Sequence, residues 1–225
     1  MLNMSMALIR KDLTLLLQRG SGLIQALILG LILVFVFSLS QEIGEKTTSK
    51  ATSTIFWLSS AFCQVLVFNQ LYALEEGNNS RLGLILSPCA VQGVWLGKAI
   101  SGLILILCAQ IIFLPAVIIF LGQEFLGNIS HGILAIILVD IGMCALGSLL
   151  GALAQGQSAR ESLLSIVLFP LLMPLLLSGI SLLSSAFTSG MEEGMSSWLG
   201  IACAFDGIFL GAGILLFGYI YTGDE

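Results

Sequence analysis

Between Lys98 and Glu124 the chain reads AISGLILILCAQIIFLPAVIIFLGQ, Ala99 through Gln123, without one charged side chain. A helix rises about 1.5 Å per residue, so roughly 20 apolar residues cross the hydrocarbon core of a bilayer. This run is long enough. The stretch between Lys50 and Glu75 is likewise free of charge. Working outward from these two, six segments reach the spanning length: Gly22–Ser40, Ala51–Leu74, Leu96–Leu121, Gly132–Ala154, Ser162–Leu183 and Trp198–Tyr221. None shows the period-two alternation of a membrane barrel strand. The expected fold is all-α: a polytopic membrane protein with six transmembrane helices.

Composition agrees. Of 225 residues, 57% are hydrophobic and 9% charged, with a mean hydropathy of +1.06. A soluble domain carries roughly a quarter charged residues to keep its surface hydrated, so the outer surface here faces lipid. The net charge of -5 comes with no basic patch, which argues against a nucleic-acid partner. Cys63, Cys89, Cys108, Cys144 and Cys203 form no C-x-x-C pair, and four lie in apolar runs. They read as small core hydrophobes. The first apolar run begins at Ser21, is too long for a signal-peptide core and ends without a small-residue cleavage site, so an uncleaved first span is expected.

Lys and Arg placement sets the expected orientation. With the N-terminus inside, Arg10, Lys11, Arg19, Arg81, Lys98 and Arg160 are internal, and only Lys46 and Lys50 are external. Both termini are then cytoplasmic, in a bacterial inner membrane. Trp57, Trp95 and Trp198 near span ends fit an aromatic belt. Ahead of the first span, Leu2, Met6, Ile9, Leu13 and Leu16 recur at helical spacing, with Asn3, Arg10, Thr14 and Gln18 on another face. The expected division is an amphipathic interfacial helix over 1–21 and a six-span permease domain over 22–225. A plain basic topogenic tail is the alternative for the first segment.

The longest polar interruption is Glu75-Glu76-Gly77-Asn78-Asn79-Ser80-Arg81, followed by Leu82–Leu86 and Ser87-Pro88. Acidic residues with Gly and Asn stop the helix, and Leu82, Leu84, Ile85 and Leu86 then offer a short apolar patch. The segment suits docking of a soluble partner that pushes on adjoining helices; an ordinary turn is the plainer reading. Gly93-Val94-Trp95-Leu96-Gly97-Lys98-Ala99 fails as a phosphate-binding loop on its glycine spacing, on Ala99 and on the lack of a preceding strand. Lys98 is expected to reach the inner head groups.

Asp140 and Asp206 fall inside spans, about 12–14 Å from the outer end at 1.5 Å per residue. A charge at that depth is costly. It marks either a polar cavity, subunit contact or proton-linked site, or a carboxyl group hydrogen-bonded to a neighbouring helix. His131, the one histidine, sits at the outer edge of the fourth span and reads as an interface anchor more than a haem or metal ligand. Gly147-x-x-x-Gly151 and Gly207-x-x-x-Gly211 would let helices approach closely. Pro170 and Pro174 fall inside the fifth span and are expected to bend it. No nucleophile–base pair, catalytic carboxylate pair or metal-ligand spacing is evident, which leaves an enzyme the weakest class.

Two stretches carry a resemblance. One runs from Glu75-Glu76-Gly77 through Leu84-Ile85-Leu86-Ser87-Pro88 to Gly97-Lys98. The other runs from Arg160 through Leu168-Phe169-Pro170-Leu171-Leu172-Met173-Pro174. Together with the basic N-terminus and six spans, the sequence resembles the CcmB family, membrane subunits of the ABC-type complex in cytochrome c maturation. The first stretch is shared with the broader ABC-2 type permeases, and Asn78-Asn79-Ser80 departs from the compact family pattern. The resemblance implies a CcmA-like cytoplasmic ATPase, CcmC-like and CcmD-like membrane proteins, two copies of the chain and ATP hydrolysis in the partner. It implies release of haem-loaded chaperone, with haem possible in the wider complex and no cofactor bound directly. Glu75, Glu76, Gly77, Arg81, Leu84, Ile85, Leu86, Pro88, Arg10 and Lys11 would then couple to the ATPase. The alternatives are an ABC-2 exporter permease for a lipid, drug or polysaccharide, and a non-transporting scaffold.

Overall fold

The computed structural model describes residues 2–19, 21–41, 47–76, 83–84, 90–155, 160–188 and 194–222. Among these the backbone forms seven principal helices and no strand: α1 (Leu2–Arg19), α2 (Ser21–Leu39), α3 (Ser49–Glu76), α4 (Gln92–Phe120), α5 (Ile129–Leu153), α6 (Arg160–Phe187) and α7 (Met195–Thr222). Helices α2 to α7 are each long and apolar enough to cross a membrane, and they coincide with the six expected spans. The chain is a multi-pass membrane protein.

Local chemistry sets the helix ends. Helix α4 stops where Gly122 takes a left-handed φ of 64°, and the Gln123 N–H reaches back to the Ile118 carbonyl at 3.0 Å. Glycine adopts that conformation without Cβ strain, and the backward bond satisfies a carbonyl the helix would otherwise orphan. Asn128 starts α5, its side chain accepting from the Ser130 N–H.

Helices α3 and α5 form the centre. Of their spans, 72% and 67% respectively is buried, against 17% for α2 and 22% for α7. Helix α5 lies against α3, α4, α6 and α7; α2 sits at the edge against α3 and α4. Large rings fill glycine notches across these contacts. Phe68 lies between Gly102 and Gly147, Tyr72 against Gly151, Trp57 against Gly179, Trp95 against Gly213 and Phe113 against Gly30. Lipid offers no hydrophobic drive for helix association, so close van der Waals packing of this kind must supply it.

Two expectations need correction. Trp57 is fully buried and Trp95 nearly so, its Nε1 donating to the Ala145 carbonyl at 3.3 Å. Both belong to the bundle interior and not to an aromatic belt, because each ring has a glycine notch to fill. Helix α1 is amphipathic as expected, but its covered face is Ser5, Leu8, Ile9, Asp12 and Leu16, while Met6 is 63% exposed. That face packs on α4. Ser5 Oγ donates to the Gly93 carbonyl at 2.9 Å, and Leu8 covers Gly97. Helix α6 runs on through Pro170, which is exposed, and Pro174, which is half-buried; α4 likewise contains Pro115.

Candidate functional site: a buried ion cluster under the N-terminal helix

Lys98 stands in the second turn of α4, and its side chain is fully buried. The expected reach to head groups is therefore wrong. The ammonium finds partners inside instead. Its Nζ lies 2.7 Å from Glu75 Oε1 at the end of α3 and 3.0 Å from Asp12 Oδ2 on α1. It donates to the Leu71 carbonyl at 2.8 Å. An ammonium has three N–H donors, and these three acceptors use them all. The Tyr72 ring adds a face 5.4 Å from the nitrogen, within cation–π range.

The two carboxylates are equally enclosed. Asp12 and Glu75 have no solvent exposure. Tyr221, at the end of α7, donates its hydroxyl to Glu75 Oε2 at 2.9 Å. Lys11 closes the rim, 37% exposed, 3.2 Å from Asp12 and 3.9 Å from Glu75. Two acids and two bases thus tie α1, α3 and α4 together, with α7 attached through Tyr221. Taking such charges out of water is costly, and the cluster is tolerable because each charge has an opposite partner and further hydrogen bonds.

A neutral polar ladder adjoins the cluster. Tyr72 donates its hydroxyl to the Ser148 carbonyl at 2.7 Å, and Ser148 Oγ donates to the Trp95 carbonyl at 3.1 Å. Further along α3, Gln64 donates to the Met143 carbonyl. These bonds stitch α3, α4 and α5 where water cannot compete.

Of the residues singled out in the sequence, Glu75 sits in the cluster, Lys11 on its rim and Arg10 on the exposed face of α1. Leu84 is half-buried and packs against the hydrophobic core. Glu76 is the last residue of α3. Gly77, Arg81, Ile85, Leu86 and Pro88 lie outside the described residues. Asp140 is fully buried elsewhere, accepting from Gln110 Nε2 at 2.8 Å, while that nitrogen also lies 3.3 Å from Ser60 Oγ. Asp206 is 6% exposed and lies against Gly142, where a Cβ would collide with the carboxylate and with Leu175. Each meets a neighbouring helix, and the two face different partners. His131 is half-buried in the first turn of α5, and among the described residues no three His, Cys, Asp or Glu side chains are grouped to hold a metal.

Sequence reasoning missed Asp12 and Tyr221 and misplaced Lys98. The signal for Asp12 was present: it falls in register with Ser5, Leu8, Ile9 and Leu16 on the covered stripe of α1. A lone carboxylate in such a stripe requires a buried cation opposite.

None of the curated proteins compared matches the sequence. A family model described as CcmB protein matches residues 3–214, taking in α1 and all but the last turns of α7. The chain therefore belongs to the CcmB family and is a membrane subunit of the haem exporter in cytochrome c maturation.

Proposed function

We propose that this chain is the permease subunit that couples ATP hydrolysis by a CcmA-like cytoplasmic partner to haem handling and release of haem-loaded chaperone. The reading places the chain in the bacterial inner membrane with both termini cytoplasmic. Two copies work together there, beside CcmC-like and CcmD-like proteins. Closure of the ATPase subunits is transmitted through the segment from Glu75 to Pro88 and through the surface of α1 from Met6 to Gln18. Arg10, Lys11, Arg81 and the Leu84-Ile85-Leu86 patch provide the contact. Among the spans that respond is α6 with Pro170 and Pro174.

One observation carries the proposal within the family. Glu75, the first residue of that segment, is ion-paired to Lys98 of α4, and through Lys98 to Asp12 of α1. A push on the segment therefore meets three helices joined by buried charge, so displacement passes into the bundle instead of dissipating in a loop. The ATP-handling chemistry belongs to the partner; this chain supplies a mechanical path.

The test replaces Leu84, Ile85 and Leu86 together by Ser in the assembled complex. ATPase activity is expected to persist, membrane insertion to be intact and cytochrome c assembly to fall to background. Normal assembly in that variant removes the docking role of the segment.

A further inference from the structure

Lys11 and Asp12 are neighbours on α1, with their charged ends 3.2 Å apart. Lys98 and Glu75 both belong to the bundle and stand 2.7 Å apart. Two ion pairs cross the interface: Lys98 to Asp12 at 3.0 Å and Lys11 to Glu75 at 3.9 Å. Among the described residues of the cluster, a cut along the underside of α1 thus leaves one acid and one base on each side. In the bundle half, Lys98 keeps Glu75, the Leu71 carbonyl and the Tyr72 ring, and Glu75 keeps the Tyr221 hydroxyl. In the helix half, Asp12 keeps Lys11. No described charge loses its last opposite partner.

A permanent staple has no need of that symmetry. A single carboxylate on α1 facing Lys98 would anchor the helix, and pulling it away would strand two unpaired charges, which is strongly unfavourable. Beyond the ions the contact rests mainly on the Ser5 hydroxyl bond to Gly93, on Leu8 over Gly97, and on Ile9 and Leu16.

We propose that α1 is a detachable latch: it docks on α4 and releases with every described charge of the cluster still paired, Asp12 to Lys11 on the helix and Lys98 to Glu75 in the bundle. The proposal rests on the cluster geometry alone and goes beyond ATP coupling, so either idea can fail without the other.

The latch predicts effects of opposite sign for the two buried acids. Asp12→Asn removes the shorter of the two ion pairs across the interface while Lys98 keeps Glu75, so α1 releases more often. Glu75→Gln leaves Lys98 dependent on Asp12, so α1 is held more tightly. The probe is Leu8→Cys, buried beneath α1, placed in the full chain with its five native cysteines changed to Ala. Inverted membrane vesicles containing the assembled complex are treated with a membrane-impermeant maleimide. Met6→Cys, on the exposed face, is labelled in parallel to show that each variant is inserted. Relative to the unsubstituted acids, the Leu8→Cys labelling rate should rise at least about tenfold with Asp12→Asn and fall several-fold with Glu75→Gln, given the cost of stranding a buried charge. Ser5→Cys, equally covered, serves as a second reporter and should move in the same directions. A rise with both substitutions means a fixed staple and overturns the latch. No change, or a fall, with Asp12→Asn overturns it as well.

Discussion

Lys98 commits each of its ammonium protons to a different helix or backbone: Asp12 on α1, Glu75 on α3 and the Leu71 carbonyl. Removing it takes from two enclosed carboxylates the cation they share, with the partly exposed Lys11 at the rim. Lys98→Met is therefore expected to destabilise the protein by about 3–5 kcal/mol, the usual cost of breaking a buried pair by deleting one partner. Adding Asp12→Asn and Glu75→Gln to the same chain should recover most of that loss, since no enclosed carboxylate of the cluster then remains and Lys11, 37% exposed, can turn to water. Thermal unfolding in lipid nanodiscs compares the two. If the triple variant unfolds below Lys98→Met alone, the cluster is not held by charge balance. The sequence showed Lys98 and Glu75 as separate features because their spans are joined by a segment that conceals their approach. Their contact depends on how α3 and α4 pack, which hydropathy does not encode.

At the scale of helices, two glycine motifs of identical spacing behave differently. Cβ atoms on Gly147 and Gly151 would stand 2.5 Å from ring carbons of Phe68 and Tyr72, and the Tyr72 hydroxyl is anchored on Ser148, so that ring cannot easily yield. Gly207 and Gly211 have nothing within 4 Å of such a Cβ. Gly151→Ala is expected to cost about 1–3 kcal/mol, the range for overpacking a tight core, while Gly211→Ala should leave the unfolding temperature unchanged. A large loss from Gly211→Ala means that another surface covers that face of α7. The spans themselves were legible, because about 20 uncharged residues admit few other readings. Their partners were not. Each ring and its glycine notch lie on different helices, so no local pattern links Trp57 to Gly179 or Trp95 to Gly213. The same limit sent two tryptophans to a belt they do not occupy. The covered face of α1 was misread by about one residue in phase, because an apolar stripe was assumed where Ser5 and Asp12 make the specific contacts.

For the whole molecule, buried polar bonds fall in separate groups, one joining Tyr72, Ser148 and Trp95 beside the ion cluster and another joining Gln110 and Asp140 further along α4, and between them they hold α3, α4 and α5 as one core. The outer helices α2 and α7 surround it with mostly exposed apolar surface. In the proposed coupling, such a core carries a displacement from the α1 side across the bilayer, and energy enters from a separate subunit on the side where Lys and Arg gather. The most direct measurement is nucleotide hydrolysis by the chain purified from its native membrane, with and without the proteins that accompany it in mild detergent. The isolated polypeptide is expected to be inert, with hydrolysis following an ATPase subunit retained with it. Turnover by the polypeptide alone would rule out energy input from a separate subunit.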